Sequence, residues 1–219
     1  QDVGAGKTMS TCVIIHERKR LGLCNKPMIA VPNHTLGQWA TEYLRLYPNA
    51  NILVATKKDL EKKHRQRFIS RVATGDYECI IIPHSSFEKI AISRSRQLES
   101  VEREIDEIEA MIQEQKDISG KSWSLKQMEL YRKNLQAKYD NLYNADKKDD
   151  LIDFEELGVD NLIVDEAHIY KNDYVYTKMD NVAGLIGKGS QRAMDMRMKC
   201  HYINEITNES GIVFLPATP

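Results

Sequence analysis

The sequence predicts an α/β fold in which a mainly parallel sheet is flanked by helices and carries an inserted antiparallel helical hairpin. Two observations lead to this prediction: short apolar runs alternate with longer helical patterns, and one long charged stretch interrupts the alternation. Near-continuous apolar runs are typical of strands that are buried on both faces of a parallel sheet. Five such runs occur: MIAV at 28–31, NILVA at 51–55, CIII at 79–82, NLIV at 161–164 and IVFL at 212–215.

Helical patterns fill most of the gaps between these runs. We expect helices over residues 8–21, 34–47, 57–72 and 191–208. Gly75 and Asp76 form a turn signal before the strand at 79–82. These helices would cover both faces of the sheet, because its strands offer no polar face to solvent.

The stretch of residues 93–150 departs from this alternation because it is rich in Glu, Lys, Gln and Leu. Its apolar residues form two stripes with helical spacing, separated by a break at Ser119 and Gly120. The stripes comprise Leu98, Val101, Ile105, Ile108 and Ile112, and then Leu125, Met128, Tyr131, Leu135, Tyr139 and Leu142. They predict a helical hairpin at 93–150, inserted between two parts of one α/β domain at 1–92 and 151–219.

Composition excludes several classes of protein. The chain of 219 residues has a formal net charge of −1, so no global field attracts it to a polyanion or to a membrane surface. Its four cysteines lack the paired spacing of a zinc site or of a disulfide framework. No apolar run approaches the roughly 18 to 20 residues of a membrane span, and no signal peptide opens the chain. We expect a cytoplasmic protein with reduced thiols and no membrane partner.

A phosphate-binding loop is predicted at the start of the chain, where VGAGKT occupies residues 3–8. Gly4, Ala5 and Gly6 would let backbone N–H groups approach phosphates at the start of a helix that continues through Met9. Lys7 would place its ammonium on the β and γ phosphates of a nucleotide, and the Thr8 hydroxyl would bind Mg²⁺. By itself this short pattern could also be a surface turn, because Gln1 stands where the full phosphate-loop pattern has its first glycine.

A second run, VDEAH at 164–168, supplies the carboxylates that such a loop needs. Asp165 would lie at the tip of a buried strand and hold Mg²⁺, while Glu166 would polarise the attacking water. Burying two carboxylates without a cation is unfavourable, so this pair favours a metal–nucleotide site over a solvated strand end. ATP and Mg²⁺ are therefore the predicted cofactors.

The chain resembles the first RecA-like domain of superfamily 2 helicases and translocases, nearest the Swi/Snf-like ATPases. Five runs carry the resemblance, in the family's order: DVGAGKT at 2–8 (motif I), MIAVPNHTLGQW at 28–39 (Ia), CIIIPHSSF at 79–87 (Ib), VDEAHIYKN at 164–172 (II) and LPATP at 215–219 (III). Lys171 and Asn172 after DEAH are a particular Swi/Snf-like feature. A closer resemblance is to the large helicase-methylase proteins of phages and mobile elements, although the chain contains no methyltransferase motif.

This resemblance implies ATP hydrolysis coupled to movement on DNA. It makes Pro32 and Asn33 of motif Ia, and His84 and Ser85 of motif Ib, candidate contacts to the DNA backbone that read no sequence. Asn33 and Ser85 could instead be ordinary helix caps.

The resemblance also assigns further roles within the site. It includes His168 in the catalytic set through motif II, and it implies that Thr218 of motif III transmits the state of the γ phosphate. Trp39 is predicted to lie in the core and not to serve as a base-stacking platform. The hairpin would be a structural insertion, or an arm that binds a partner or guides DNA.

The resemblance implies a second RecA-like domain in the intact protein, which would supply arginine fingers. We therefore expect this segment, which opens with the phosphate loop already under way, to be a fragment that hydrolyses ATP slowly by itself. Two alternatives remain open: a phosphate-loop nucleotide switch of another family, and a non-catalytic interaction module centred on the hairpin.

Overall fold

The computed structural model describes residues 6–56, 58–61, 63–119, 123–144, 153–173 and 190–216. It contains a five-stranded sheet in which every pairing is parallel, which confirms the predicted α/β fold. The strands are β1 (Pro27–Val31), β2 (Ile52–Val54), β3 (Cys79–Pro83), β4 (Asn161–Asp165) and β5 (Ile212–Leu215). Each coincides, within one or two residues, with one of the five apolar runs of the sequence.

The order of strands across the sheet is β2-β3-β1-β4-β5. All carboxyl ends of parallel strands lie at the same edge of a sheet, which is where open α/β sheets bind ligands. This order therefore places the residues that follow β1, β3, β4 and β5 side by side at one edge.

The helices of the α/β domain are α1 (Lys7–Arg20), α2 (Leu36–Leu46), α3 (Arg65–Thr74), the single turn α4 (His84–Phe87) and α7 (Gln191–Thr207). In the described part of the chain, 3₁₀ turns lie at Lys58–Leu60, Phe154–Leu157 and Ala167–Tyr170. The predicted helix at 57–72 is wrong in its first half. Asp59 accepts hydrogen bonds from the backbone N–H and the hydroxyl of Thr56, and this local turn competes with a helix there.

Two hydrophobic clusters pack on opposite faces of the sheet. One contains Ile29 and Ile81 together with buried residues of α1 and α2. The other contains Ala30 and Ile80 together with buried residues of α3, α4 and α7. Because neighbouring residues of a strand point to opposite faces, continuous apolar strands require this double cover.

The chain divides into two compact units, of which Ile92–Leu151 is the smaller. This unit consists of α5 (Arg94–Ser119) and α6 (Trp123–Asn144). The two helices are antiparallel, because Arg94 near the start of α5 donates a hydrogen bond to the carbonyl of Tyr143 near the end of α6, whereas Lys116 near the end of α5 pairs with Glu129 nearer the start of α6. Glu104 is buried although it is charged, because it shares a helical face with Val101 and Ile108.

Within the described residues, β5 forms one edge of the sheet and is less buried than the other strands. Its Phe214 is half-exposed, as is Ile14 on α1. No helix in the described part of the chain is long and apolar enough to cross a membrane.

Candidate functional site

Lys7 lies at the carboxyl edge of the sheet, as the first residue of α1. Gly6 precedes it in the left-handed conformation, with φ of 74°, which glycine adopts without steric cost. The Lys7 ammonium donates a hydrogen bond to the carbonyl of Pro216, directly after β5, at 3.0 Å. The start of α1 and the end of β5 are thus joined at this edge. Gly4 and Ala5 lie outside the described residues.

The next two residues of the predicted loop occupy the first turn of α1. Thr8, the predicted Mg²⁺ ligand, is partly buried, whereas Met9 exposes 55% of its surface. Backbone N–H groups in the first turn of a helix have no partner within the helix, so this end of α1 offers donors to an anion.

Asp165 is the last residue of β4 and lies opposite Leu215 of β5 in the sheet register. The indole N–H of Trp39 donates a hydrogen bond to the Asp165 Oδ2 at 3.1 Å. Burial raises the pKa of Asp165, while the hydrogen bond from Trp39 and the charge of Lys7 act in the opposite direction. Because Lys7 bonds to Pro216, the residue after Leu215, the Lys7 ammonium and the Asp165 carboxylate belong to neighbouring strand ends, as a shared nucleotide site requires.

Glu166 adopts a left-handed backbone conformation with φ of 53°, which is uncommon for a residue other than glycine. Such strain is concentrated at functional sites. The Glu166 carboxylate lies 3.1 Å from Nδ1 of His168, and both side chains are accessible to solvent. Glu166 and His168 therefore face outward and pair with each other.

The residues at this edge fit Mg²⁺ in their chemistry. Carboxylate and hydroxyl oxygens are the ligands that this hard cation prefers, and a cation would favour the charged form of the buried Asp165. No cluster of three or more His, Cys, Asp or Glu side chains suited to a metal occurs among the described residues. Mg²⁺ in nucleotide sites is commonly held by one or two carboxylates together with phosphates and water, so the fit does not require such a cluster.

His84 is buried, with 6% of its surface exposed, and its ring is bonded on both sides. Nε2 lies 2.9 Å from the backbone carbonyl of Asp165, and Nδ1 lies 3.1 Å from the hydroxyl of Tyr170. A carbonyl can only accept, so Nε2 donates and Nδ1 accepts from Tyr170. Burial lowers the pKa of His84 to about 4, which keeps the ring neutral near pH 7.

These contacts change the predicted role of His84. The sequence places it among the candidate DNA contacts, but the structure removes its side chain from the surface. The reason is that β3 and β4 flank β1 in the sheet, so that the start of α4 faces the end of β4. The ring fills the space between those two segments.

The other candidate DNA contacts stand at the same edge of the sheet and are accessible. Asn33, directly after β1, is exposed, and Pro32 and Ser85 are partly exposed. The Ser85 hydroxyl donates a hydrogen bond to Asn33 Oδ1 at 3.0 Å, which joins the two turns. Neither side chain caps its helix: α2 and α4 have no side-chain cap hydrogen bond.

Two residues of the site were missed by sequence reasoning. Trp39 was assigned to the core, where it lies with 2% of its surface exposed, but its polar N–H also contacts Asp165. Tyr170 belongs to the motif II run, yet nothing local in the sequence indicates its contact with His84. A buried Trp or Tyr requires a partner for its polar atom, and that requirement is the signal that could have drawn attention to both.

Thr218, the predicted coupling residue, lies outside the described residues. The hydrogen bond from Lys7 to Pro216 nevertheless shows that the described start of motif III lies next to motif I.

A family model described as "Probable helicase domain" matches residues 1–219. The chain belongs to this family. Helicase domains act in general as nucleic-acid-dependent ATPases, and this family membership supports the corresponding part of the predicted function. A comparison of the helicase domain with curated proteins gave no match.

Proposed function

We propose that this helicase domain binds ATP with Mg²⁺ at the carboxyl edge of its sheet and couples ATP hydrolysis to movement on DNA, as a Swi/Snf-like member of superfamily 2. One observation carries the proposal: Lys7 at the start of α1 bonds to the carbonyl of Pro216, the residue after Leu215, and Leu215 lies opposite Asp165 at the end of β4. Motifs separated by more than 150 residues in the sequence therefore meet at one site.

The chain's own residues would divide the work at this site. The first turn of α1 would receive the phosphates, and Lys7 would exchange the Pro216 carbonyl for phosphate oxygens. Thr8 and Asp165 would hold Mg²⁺, which neutralises charge that develops on the phosphates. Glu166 would orient the attacking water. His168 contacts the Glu166 carboxylate and would fix its direction.

Calorimetric titration of ATP with Mg²⁺ tests the nucleotide site directly. We expect Lys7→Ala to abolish the binding that the unaltered chain shows. Lys126→Ala is a matched control, because it removes an exposed lysine from α6 in the other unit and should leave binding unchanged. A folded chain that binds no ATP, or that binds it equally well after Lys7→Ala, would contradict the proposal.

The turns after β1 and β3 are the proposed DNA-facing surface. Asn33 and Ser85 offer an amide and a hydroxyl, groups that contact phosphates without reading sequence. Asn33→Ala should weaken binding of duplex oligonucleotides to a similar degree for all sequences, as measured by fluorescence anisotropy. Gln136→Ala on exposed α6 is the control for loss of an amide. A sequence-dependent loss, or none, would exclude a backbone contact by Asn33.

A further inference from the structure

Asp165 is held from two sides by groups that are distant in the sequence. Its carboxylate accepts from the indole of Trp39, and its backbone carbonyl accepts from the ring of His84. Both donors are nearly inaccessible to solvent, so neither can exchange its partner for water without a change in packing. The position of this carboxylate is therefore set by two other segments as well as by its own strand.

Those segments also carry the exposed polar residues of the sheet edge. Trp39 lies in the first turn of α2, six residues after Asn33, and His84 immediately precedes Ser85. The hydrogen bond between Ser85 and Asn33 joins the two turns to each other. Asp165 and the two turns thus form a closed ring of three hydrogen bonds.

The part of this hydrogen-bonded ring that contains His84 is also bonded to other elements of the fold. The Tyr170 hydroxyl contacts His84 and lies 3.3 Å from Glu88, and Glu88 pairs with Arg192 of α7 at 2.8 Å. Tyr170 itself is buried and packs edge-on against the His84 ring. A movement of the β3–α4 turn would therefore disturb packed neighbours as well as Asp165.

We propose that Trp39 and His84 are positioning residues for Asp165, which tie the turns after β1 and β3 to the carboxylate that binds Mg²⁺. This inference rests on the proposed function, because it takes Asp165 as the Mg²⁺ ligand. The inference adds to the proposed function that the metal site and the two exposed turns move together.

The first test separates metal positioning from general damage. A fluorescent ATP analogue is titrated into each variant with Mg²⁺ and with EDTA. The ratio of the dissociation constant in EDTA to that with Mg²⁺, which measures the gain in affinity due to the metal, is then compared among the variants. Groups that orient a metal ligand typically contribute 10–100-fold to metal affinity, so Trp39→Phe should reduce the Mg²⁺-dependent gain by about tenfold or more while binding in EDTA stays unchanged. A purely structural role would weaken binding equally in both conditions.

Two further variants complete this test. Tyr43→Phe alters the same helix and the same hydrophobic cluster, but the Tyr43 hydroxyl has no hydrogen-bond partner among the described residues, so the substitution should leave the ratio unchanged. His84→Phe should lower the ratio, and His84→Gln, which retains an N–H donor near the position of Nε2, should recover part of it.

The outcomes distinguish this inference from the proposed function. If the unaltered chain binds no ATP, the proposed function fails and the inference fails with it. If the chain binds ATP more tightly with Mg²⁺ and Trp39→Phe leaves that gain intact, only the inference is overturned.

Hydrogen exchange measured by mass spectrometry tests the tie to the turns. Addition of ATP with Mg²⁺ should slow exchange in peptides that cover residues 33–38 and 84–88. Trp39→Phe should remove the effect at 33–38, whereas Tyr43→Phe should retain it. Absence of any effect in the unaltered chain, or equal protection in the Trp39→Phe variant, would show that the turns and the metal site are independent.

Discussion

The hydroxyl of Tyr43 provides a quantitative test of the packing between α2 and the sheet. Tyr43 is completely buried, and its hydroxyl has no hydrogen-bond partner among the described residues. Burial accordingly raises the pKa of this phenol. A buried polar group without a partner loses its hydrogen bonds to water and gains no hydrogen bond within the protein.

The expected effect of Tyr43→Phe follows from that loss. An unsatisfied buried polar group costs about 1–3 kcal/mol, and the small void left by the oxygen offsets part of the gain. We therefore expect the substitution to raise the free energy of unfolding by about 1 kcal/mol. For a domain of this size, that gain corresponds to an increase of about 2–4 °C in the melting temperature.

Urea and thermal denaturation followed by circular dichroism would measure this change. Tyr47→Phe, on the same side of α2 but less buried, is the control and should have little effect. A decrease of 1 kcal/mol or more after Tyr43→Phe would refute the reasoning, because it would mean that the hydroxyl forms a stabilising hydrogen bond.

Four other predictions concern the interior of the domain. Burial raises the pKa of Cys12 and of Cys200 to about 12, so both thiols should react with a disulfide reagent at pH 8 only after unfolding. Because the fold keeps these protons while the unfolded chain releases them above about pH 9, stability to urea should fall as the pH rises beyond that value. Asp195→Ala should cost about 3–5 kcal/mol in denaturant unfolding, because it leaves the ammonium of fully buried Lys199 without its charge partner, whereas Lys199→Met should cost clearly less. Gly211→Ala should lower the free energy of unfolding by about 1–3 kcal/mol in melting experiments, because the added β-carbon would lie 2.6 Å from a side-chain carbon of α7. An unchanged melting temperature would show that α7 moves to make room for it.

The fold could be predicted well from the sequence because its determinants are local. A run such as CIII at 79–82 is apolar at every position, and this property alone requires cover on both faces. The helix predicted at 57–72 failed in its first half because the hydrogen bonds between Thr56 and Asp59 form a turn that periodicity does not report.

The candidate site could be predicted only in part. The order of the motifs indicated Lys7 and Asp165, since strand ends of a parallel sheet share one edge. The inward orientation of His84 could not be predicted, because motif Ib shows only that His84 follows a strand. Its burial depends on which strands are neighbours, and strand order is not a local property.

The sequence by itself therefore determined the strands, most of the helices, the parallel character of the sheet and the placement of Lys7 and Asp165 at its carboxyl edge. Local apolar patterning and chain order are sufficient for these conclusions. The tertiary structure alone decided that Trp39 contacts Asp165, 126 residues away, and that His84 supports the same residue from its other side. Buried polar groups must form hydrogen bonds, and the order of the strands determines which groups are close enough to bond to one another.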